Sequence, residues 1–233
     1  MTNIIHDLRS VLTNSIDTRP EKVSIFFKTG PGDYAEHDRF IGITVPTVRR
    51  IAKSFIKTSL DDLGILIRSE INEERLLALI ILTGQYKKSP EEQQEKIYQF
   101  YMNHLKYINN WNLVDSSAHL IVGAYLYGKD CSLLEKLASS KNLWERRIAI
   151  VATWHFIRNS ELEWTFRIAN LLLNDEHDLI HKAVGWMLRE AGKRDESRLI
   201  DFVARNAHKM PKTMLRYSTE RLTNYPFSSH KKG

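Results

Sequence analysis

The residues whose types and spacing invite chemistry are Trp111 and Asp115, in the stretch NNWNLVDSSAH. They stand four positions apart in a segment that reads as a helix over 110–127, and that spacing puts both on one helix face. The apolar residues of the segment, Leu113, Val114, Leu120, Ile121, Ala124 and Tyr125, cluster on one side of the wheel, with Asp115 nearly opposite and Trp111 on the flank beside it. A second off-core aromatic is Trp186, in HKAVGWMLREAGKR. There Ile180, Val184, Met187, Leu188 and Ala191 form an apolar stripe, and Lys182, Trp186, Arg189 and Lys193 share the other face. Cations beside an aromatic ring suit a nucleic-acid ligand, the cations holding phosphates and the ring meeting a base or sugar. The alternative is that Trp186 packs on a neighbouring helix and the cations are solvated. A carboxylate flanked by aromatics and cations suits a reaction whose transition state is itself a cation.

Other chemistries find no support. The chain has no phosphate-binding Gly-rich loop, no H-E-x-x-H, no G-x-S-x-G and no dinucleotide fingerprint. Nine histidines are scattered; His177 and His181 have helical spacing but no third ligand nearby, so no metal or other cofactor is expected. The single cysteine, Cys131, excludes an internal disulfide and reads as a small buried residue. No apolar run reaches the length of a membrane span, and MTNIIHDLRS lacks the charged start and apolar centre of a signal peptide; a cytoplasmic protein is expected. The net charge of +6 suits an anionic partner.

The elements that must position these residues are helices. Apolar residues recur at helical spacing over 2–16, 21–28, 72–86, 90–108, 110–127, 132–138, 143–158, 161–173, 179–193, 196–206 and 211–222. Pro46 opens a further helix, and Ser59 or Thr58 caps a short one after it. The segment TGPGDYAEHDRFIGITVP reads as an irregular connection, and no strand is evident. The helices come in pairs. Arg75, Arg147, Lys182 and Arg216 each stand near the start of a second helix, about 35 residues apart or at twice that interval, near the size of a helical-hairpin repeat. An all-α solenoid follows, one domain over 1–226 with a disordered tail at 227–233. Its second helices would line a concave basic groove, to which Arg146 also belongs. The alternative is that one cation per helix is ordinary surface charge.

Taken together, FFKTGPGDY, DRFIGITVPTVRR, NNWNLVDSSA, NLWERRIAI, HDLIHKAVGWMLRE and MPKTMLRY, in this order, resemble the AlkD-like DNA alkylation-repair glycosylases, which are built from HEAT-like repeats. The resemblance implies that Asp115 is catalytic, that Trp111 and Trp186 contact the lesion, and that Arg147 is a functional arginine. It also implies that the base need not be flipped into a pocket. Asn112 stands where many relatives carry Asp, and Ala35 and His37 replace glycines common in the TGPG loop. The expected activity is hydrolysis of the N-glycosidic bond of cationic N3- or N7-alkylated purines in double-stranded DNA by a monomer, with no lyase step. Arg147, Lys182 and Arg189 would hold phosphates. The competing expectations are a catalytically silent protein that binds damaged or branched DNA, and a protein-interaction scaffold, a common use of helical repeats.

Overall fold

The computed structural model describes residues 4–222; the tail 227–233, expected to be disordered, lies outside the described residues. Among the described residues the regular elements are all helical, and the one extended pairing is an isolated parallel bridge between Arg39 and Ile71. The all-α expectation holds. The even spacing of the helical pairs suggests one unbroken domain; internal contacts gather into two compact units that part between Ile121 and Val122.

The first unit contains α1 (Ile4–Thr13), α2 (Pro20–Phe27), α3 (Val45–Ser54), α4 (Leu60–Ile67), α5 (Asn72–Lys88), α6 (Glu91–Asn103), a 3-10 turn at Leu105–Tyr107, and α7 (Trp111–Ala118). Helix α1 buries Ile5, Leu8 and Leu12 on one face, while Ile16, at helical spacing in the stretch expected to be helical over 2–16, lies beyond the end of the helix at Thr13 and is exposed. Pro20 opens α2, where a missing N–H costs nothing, and the Ser59 hydroxyl accepts from the Asp62 N–H at 3.1 Å to cap α4. Helix α5 is the hub, packed by α3, α4, α6 and α7. It is buried nearly all round, so even the polar residues of its first turn, Asn72, Glu73, Glu74 and Arg75, lie in the interior. Buried charges need partners. Glu73 accepts backbone N–H bonds from Ile41, Gly42 and Ile43 at 3.2, 2.9 and 3.3 Å, which ties the irregular loop to the hub. The helix expected over 90–108 ends instead at Asn103, where His104 turns back to stack on Phe100.

The second unit contains α8 (Ala124–Leu126), α9 (Ser132–Ala138), α10 (Leu143–Arg158), α11 (Glu163–Leu171), α12 (Asp178–Gly192), α13 (Glu196–Asn206) and α14 (Lys212–Thr219). Helix α9 packs on α10 and α11 on α12 as hairpins, α13 packs back on α12, and the second helices α10, α12 and α14 pack in series. Gly185 allows the closest of these approaches, since a Cβ there would lie 2.5 Å from Cβ of Tyr217. Ile148 through Ala152 are all fully buried, which is why the wheel of α10 shows no polar face. Cys131 is buried as expected, and burial, with Glu161 and Asp130 nearby, pushes its thiol up to about 11. The helix expected over 110–127 is not regular: one π turn, His119–Gly123, separates α7 from α8. No described helix is long and apolar enough to cross a membrane.

Candidate active site

Helix α7 places Trp111 and Asp115 on one flank, both half-buried, while Leu113, Val114 and Ala118 are fully buried. Trp111 is fixed by aromatic contacts. Its ring stacks on Phe27, centroids 4.9 Å apart at 13°, and Phe27 stacks in turn on Phe40 at 4.6 Å. Phe26 meets the Trp111 ring edge-on at 5.7 Å, and the indole N–H donates to the Tyr34 hydroxyl at 3.2 Å. Edge and stacked pairs of this kind are worth about 0.5–1.5 kcal/mol each beyond burial. Phe26 itself is 66% exposed and its neighbour Ile25 79%, so an open apolar surface adjoins Trp111. The carboxylate of Asp115 lies within electrostatic reach of Tyr101. Burial, first, raises the Tyr101 hydroxyl above its ordinary range; its bond to Ser117 at 3.0 Å opposes this, and the Asp115 charge adds to it.

The start of α7 is held by a buried polar network. Asn110 caps the helix by accepting from the Trp111 N–H at 2.7 Å, and its amide donates to Asp38 at 2.6 Å. Asp38 also accepts from Asn72 at 2.8 Å and pairs with the guanidinium of Arg75. His37 approaches Asp38 at 3.2 Å and Asn109 at 2.6 Å. Asn112, one of the residues in which this chain departs from the resemblance, forms a reciprocal amide pair with Asn72: it donates at 2.7 Å and accepts at 3.4 Å. An amide fits that place because each side chain both gives and takes a bond. Neither Phe26, Phe27, Phe40 and Tyr34 nor this network emerges from the helical wheel. The signal was the aromatic density of FFKTGPGDYAEHDRF, which a periodicity reading passes over.

The cations divide into three groups. Arg75 is 3% exposed, with its guanidinium on Asp38 and on the Ser69 carbonyl at 2.8 Å, so the cation expected in an open groove is a buried ion-pair partner whose charge is already matched. Arg146 and Arg147 are also engaged. Arg146 binds Asp175 at 2.6 Å and the carbonyls of Ser140 and Lys141, and Arg147, 5% exposed, donates to the Leu179 carbonyl. Arg189 pairs with Glu220 and approaches Glu190. Lys182 and Arg216 are more open: Lys182 pairs along its own helix with Asp178 at 2.7 Å, which holds the Asp178 carboxyl below its ordinary range, and Arg216 lies over the Tyr217 ring at 5.0 Å. Trp186, half-buried, meets Trp154 edge-on at 4.9 Å, so it does pack on the preceding second helix.

Counting from the residue that caps each second helix corrects the repeat register. Arg75, Arg146 and His181 stand four past their caps Ile71, Asn142 and His177, and each reaches back six residues to a carbonyl, of Ser69, Ser140 and Asp175. Arg75 thus corresponds to Arg146, a clamp on the preceding loop, and not to Arg147. Five past the cap stand Arg49 in α3, Asp115 in α7, Arg147 in α10, Lys182 in α12 and Arg216 in α14, with the buried Leu76 at this place in α5. Asp115 is the one anion in that series.

A chain of helical hairpins in which one repeat position, cationic in α3, α10, α12 and α14, carries a carboxylate in α7 beside a fixed tryptophan defines a class. A sequence model of the DNA alkylation repair enzymes matches residues 9–222, and the chain belongs to that family. Two solved structures share its fold. A predicted DNA alkylation repair enzyme from Enterococcus faecalis matches with a TM-score of 0.67 at 16% identity, over 90% of this chain and all of the other. The smu.31 protein of Streptococcus mutans UA159 matches with a TM-score of 0.55 at 16% identity, over 76% of this chain and 92% of the other. Among curated proteins none matches.

Proposed function

We propose that this protein is a monofunctional DNA glycosylase that releases N3- and N7-alkylated purines from double-stranded DNA. The observation that carries the reading is Asp115, a half-buried carboxylate one helical turn from a tryptophan whose ring and N–H are both held. An N3- or N7-alkylpurine is already cationic, so its departure needs no proton from the enzyme. The N-glycosidic bond breaks with its electron pair leaving on the base, which neutralises the base and leaves positive charge on the sugar. Ionised Asp115 stabilises that charge and orients a water molecule, whose oxygen adds to C1′ as its proton passes to the carboxylate or to solvent. The exposed face of the Trp111 cluster attracts the cationic lesion through its π electrons. In the second unit, Lys182 and Arg216 supply phosphate contacts and Trp186 an aromatic surface for sugar or base. Arg147 and Arg189, anchored by their own neighbours, add fixed positive charge.

The test is release of 7-methylguanine and 3-methyladenine from methylated duplex DNA. Asp115→Asn is expected to lower the rate by about 100-fold or more, as for loss of a group that stabilises transition-state charge. Trp111→Ala should cost about 1–2 kcal/mol, roughly 5- to 30-fold. Equal rates for wild type and Asp115→Asn would remove Asp115 from the mechanism. Tight DNA binding by a wild type that releases no base would identify a silent binder instead.

A further inference from the structure

Two neighbouring residues of the irregular loop meet two neighbouring residues ahead of α7. Asp38 accepts from the Asn110 amide at 2.6 Å, and the His37 Nε2 lies 2.6 Å from the terminal amide of Asn109. Tyr34, from the same loop, accepts from the Trp111 indole N–H at 3.2 Å. Residues 109, 110 and 111 are thus each held by one loop residue, across 72, 72 and 77 positions of chain. A single contact fixes one point of the entering chain and leaves it free to turn there. Contacts on consecutive residues also fix its direction, and direction is what aims the Trp111 ring.

The His37 contact has a definite sense. A ring nitrogen offers either a proton or a lone pair, and Nε2 faces both the Asn109 amide and, 3.2 Å away, Oδ1 of Asp38. A lone pair there is repelled by the carboxylate, whereas an N–H is drawn to it. Nε2 therefore carries a proton, and Asn109 turns its carbonyl oxygen to the ring, because half a turn of an amide keeps its shape while exchanging donor for acceptor. Arg75 already matches the Asp38 charge, so the bond needs only the Nε2–H tautomer of a neutral ring. The Asp38 side chain is fully buried, but 46% of the His37 side chain is exposed. His37 also lines a cleft of about 420 Å³ with Arg39, Arg68, Glu70 and Tyr107, so it can be exchanged without leaving a buried charge or an internal void. A glycine, common at this place in the sequences the chain resembles, could make no such bond. We propose that His37 is a positioning residue of the site: by donating to Asn109 it fixes the angle at which the chain enters α7, and with it the Trp111 ring and, one turn on, Asp115. The consequence for base release rests on the glycosylase reading; the clamp on α7 does not.

The experiment compares wild type with His37→Ala, His37→Gln, Asn109→Ala and the double variant His37→Ala/Asn109→Ala. One readout is the single-turnover rate of 7-methylguanine release, measured beside affinity for undamaged duplex DNA. The other is hydrogen exchange at the Trp111 backbone N–H, which Asn110 caps at 2.7 Å. His37→Ala should lower the release rate and speed that exchange, each by about 3- to 10-fold, the size of one net hydrogen bond. Duplex affinity and the exchange of α12 amides should stay as in wild type. His37→Gln, whose amide can also donate to Asn109, should restore both readouts. The double variant should lose no more than either single one, because both break the same bond. Unchanged exchange at Trp111 in His37→Ala overturns the proposal. A joint loss of melting temperature, release and duplex affinity that His37→Gln does not restore also overturns it, since that describes a structural residue. If wild type releases no base while His37→Ala speeds Trp111 exchange and His37→Gln restores it, the clamp stands and the glycosylase reading falls. Equal base release by wild type and His37→Ala overturns the positioning role and leaves the glycosylase standing.

Discussion

Asp38 is the residue on which the placement of Trp111 depends most. It is 6% exposed and takes bonds from Asn72 and Asn110 besides its pair with Arg75. Replacing one partner of a buried pair leaves the other charge uncompensated in the interior, at a cost of about 3–5 kcal/mol. Asp38→Ala is therefore expected to lower the unfolding free energy by about that much in urea titrations, and Asp38→Ala/Arg75→Leu to lower it less than Asp38→Ala alone. A double variant no more stable than the single one would mean that the Arg75 charge is relieved in another way. The same network shows where reading from sequence runs short at this scale. Trp111 and Asp115 were legible because both break the amphipathic pattern of their own helix. Asp38 was not, since it sits in an irregular loop and meets its partners only after the chain has folded back by 37 and 72 residues. Arg75 misled for a related reason: a cation near a helix start looks like surface charge unless its acid is known.

At the scale of elements, helix identity was readable nearly throughout, because the apolar spacing of α1, α12 and α13 is set by burial on one face. What failed was regularity. The π turn at His119–Gly123 and the 3-10 turn at Leu105–Tyr107 lie inside stretches whose propensities favour an unbroken helix, and backbone geometry of that kind leaves no side-chain signature. The repeat register slipped by one residue, since the count from cap to cation becomes visible only once the caps are fixed. A close approach within the second unit gives a test at this scale. A Cβ on Gly123 would lie 2.1 Å from the Ala152 carbonyl oxygen and 2.9 Å from Cβ of His155. Backbone cannot yield as a side-chain tip does, so Gly123→Ala should destabilise at the upper end of the usual overpacking cost, about 1–3 kcal/mol. A melting temperature equal to wild type would show that α8 and α10 can part without loss.

For the whole molecule, the titrating groups predict how stability follows pH. His155 is held below its ordinary range by burial and then by Arg158, and His177 by burial first, against the pull of Asp175. A histidine whose folded value is depressed stays neutral in the native state while the unfolded chain takes up a proton. Stability is then fully present above the unfolded value, about 6.5, and declines as pH falls through it until the folded value is reached. Unfolding free energy should therefore decrease from pH 7.5 toward pH 5, and His155→Gln should flatten that decline in calorimetric scans. A variant with the wild-type pH slope would assign the dependence elsewhere.

The exposed pair Ile25 and Phe26 has a consequence for the protein in solution. The free molecule keeps two of its most water-averse side chains in water, on a chain whose net charge attracts DNA. Salts that strengthen apolar association, such as sulfate, weaken the attraction between cations and phosphates at the same time. Rising ionic strength would thus move the two surfaces in opposite directions, loosening the hold on nucleic acid while favouring contact between copies of the chain. Solubility and DNA affinity are coupled through a single variable.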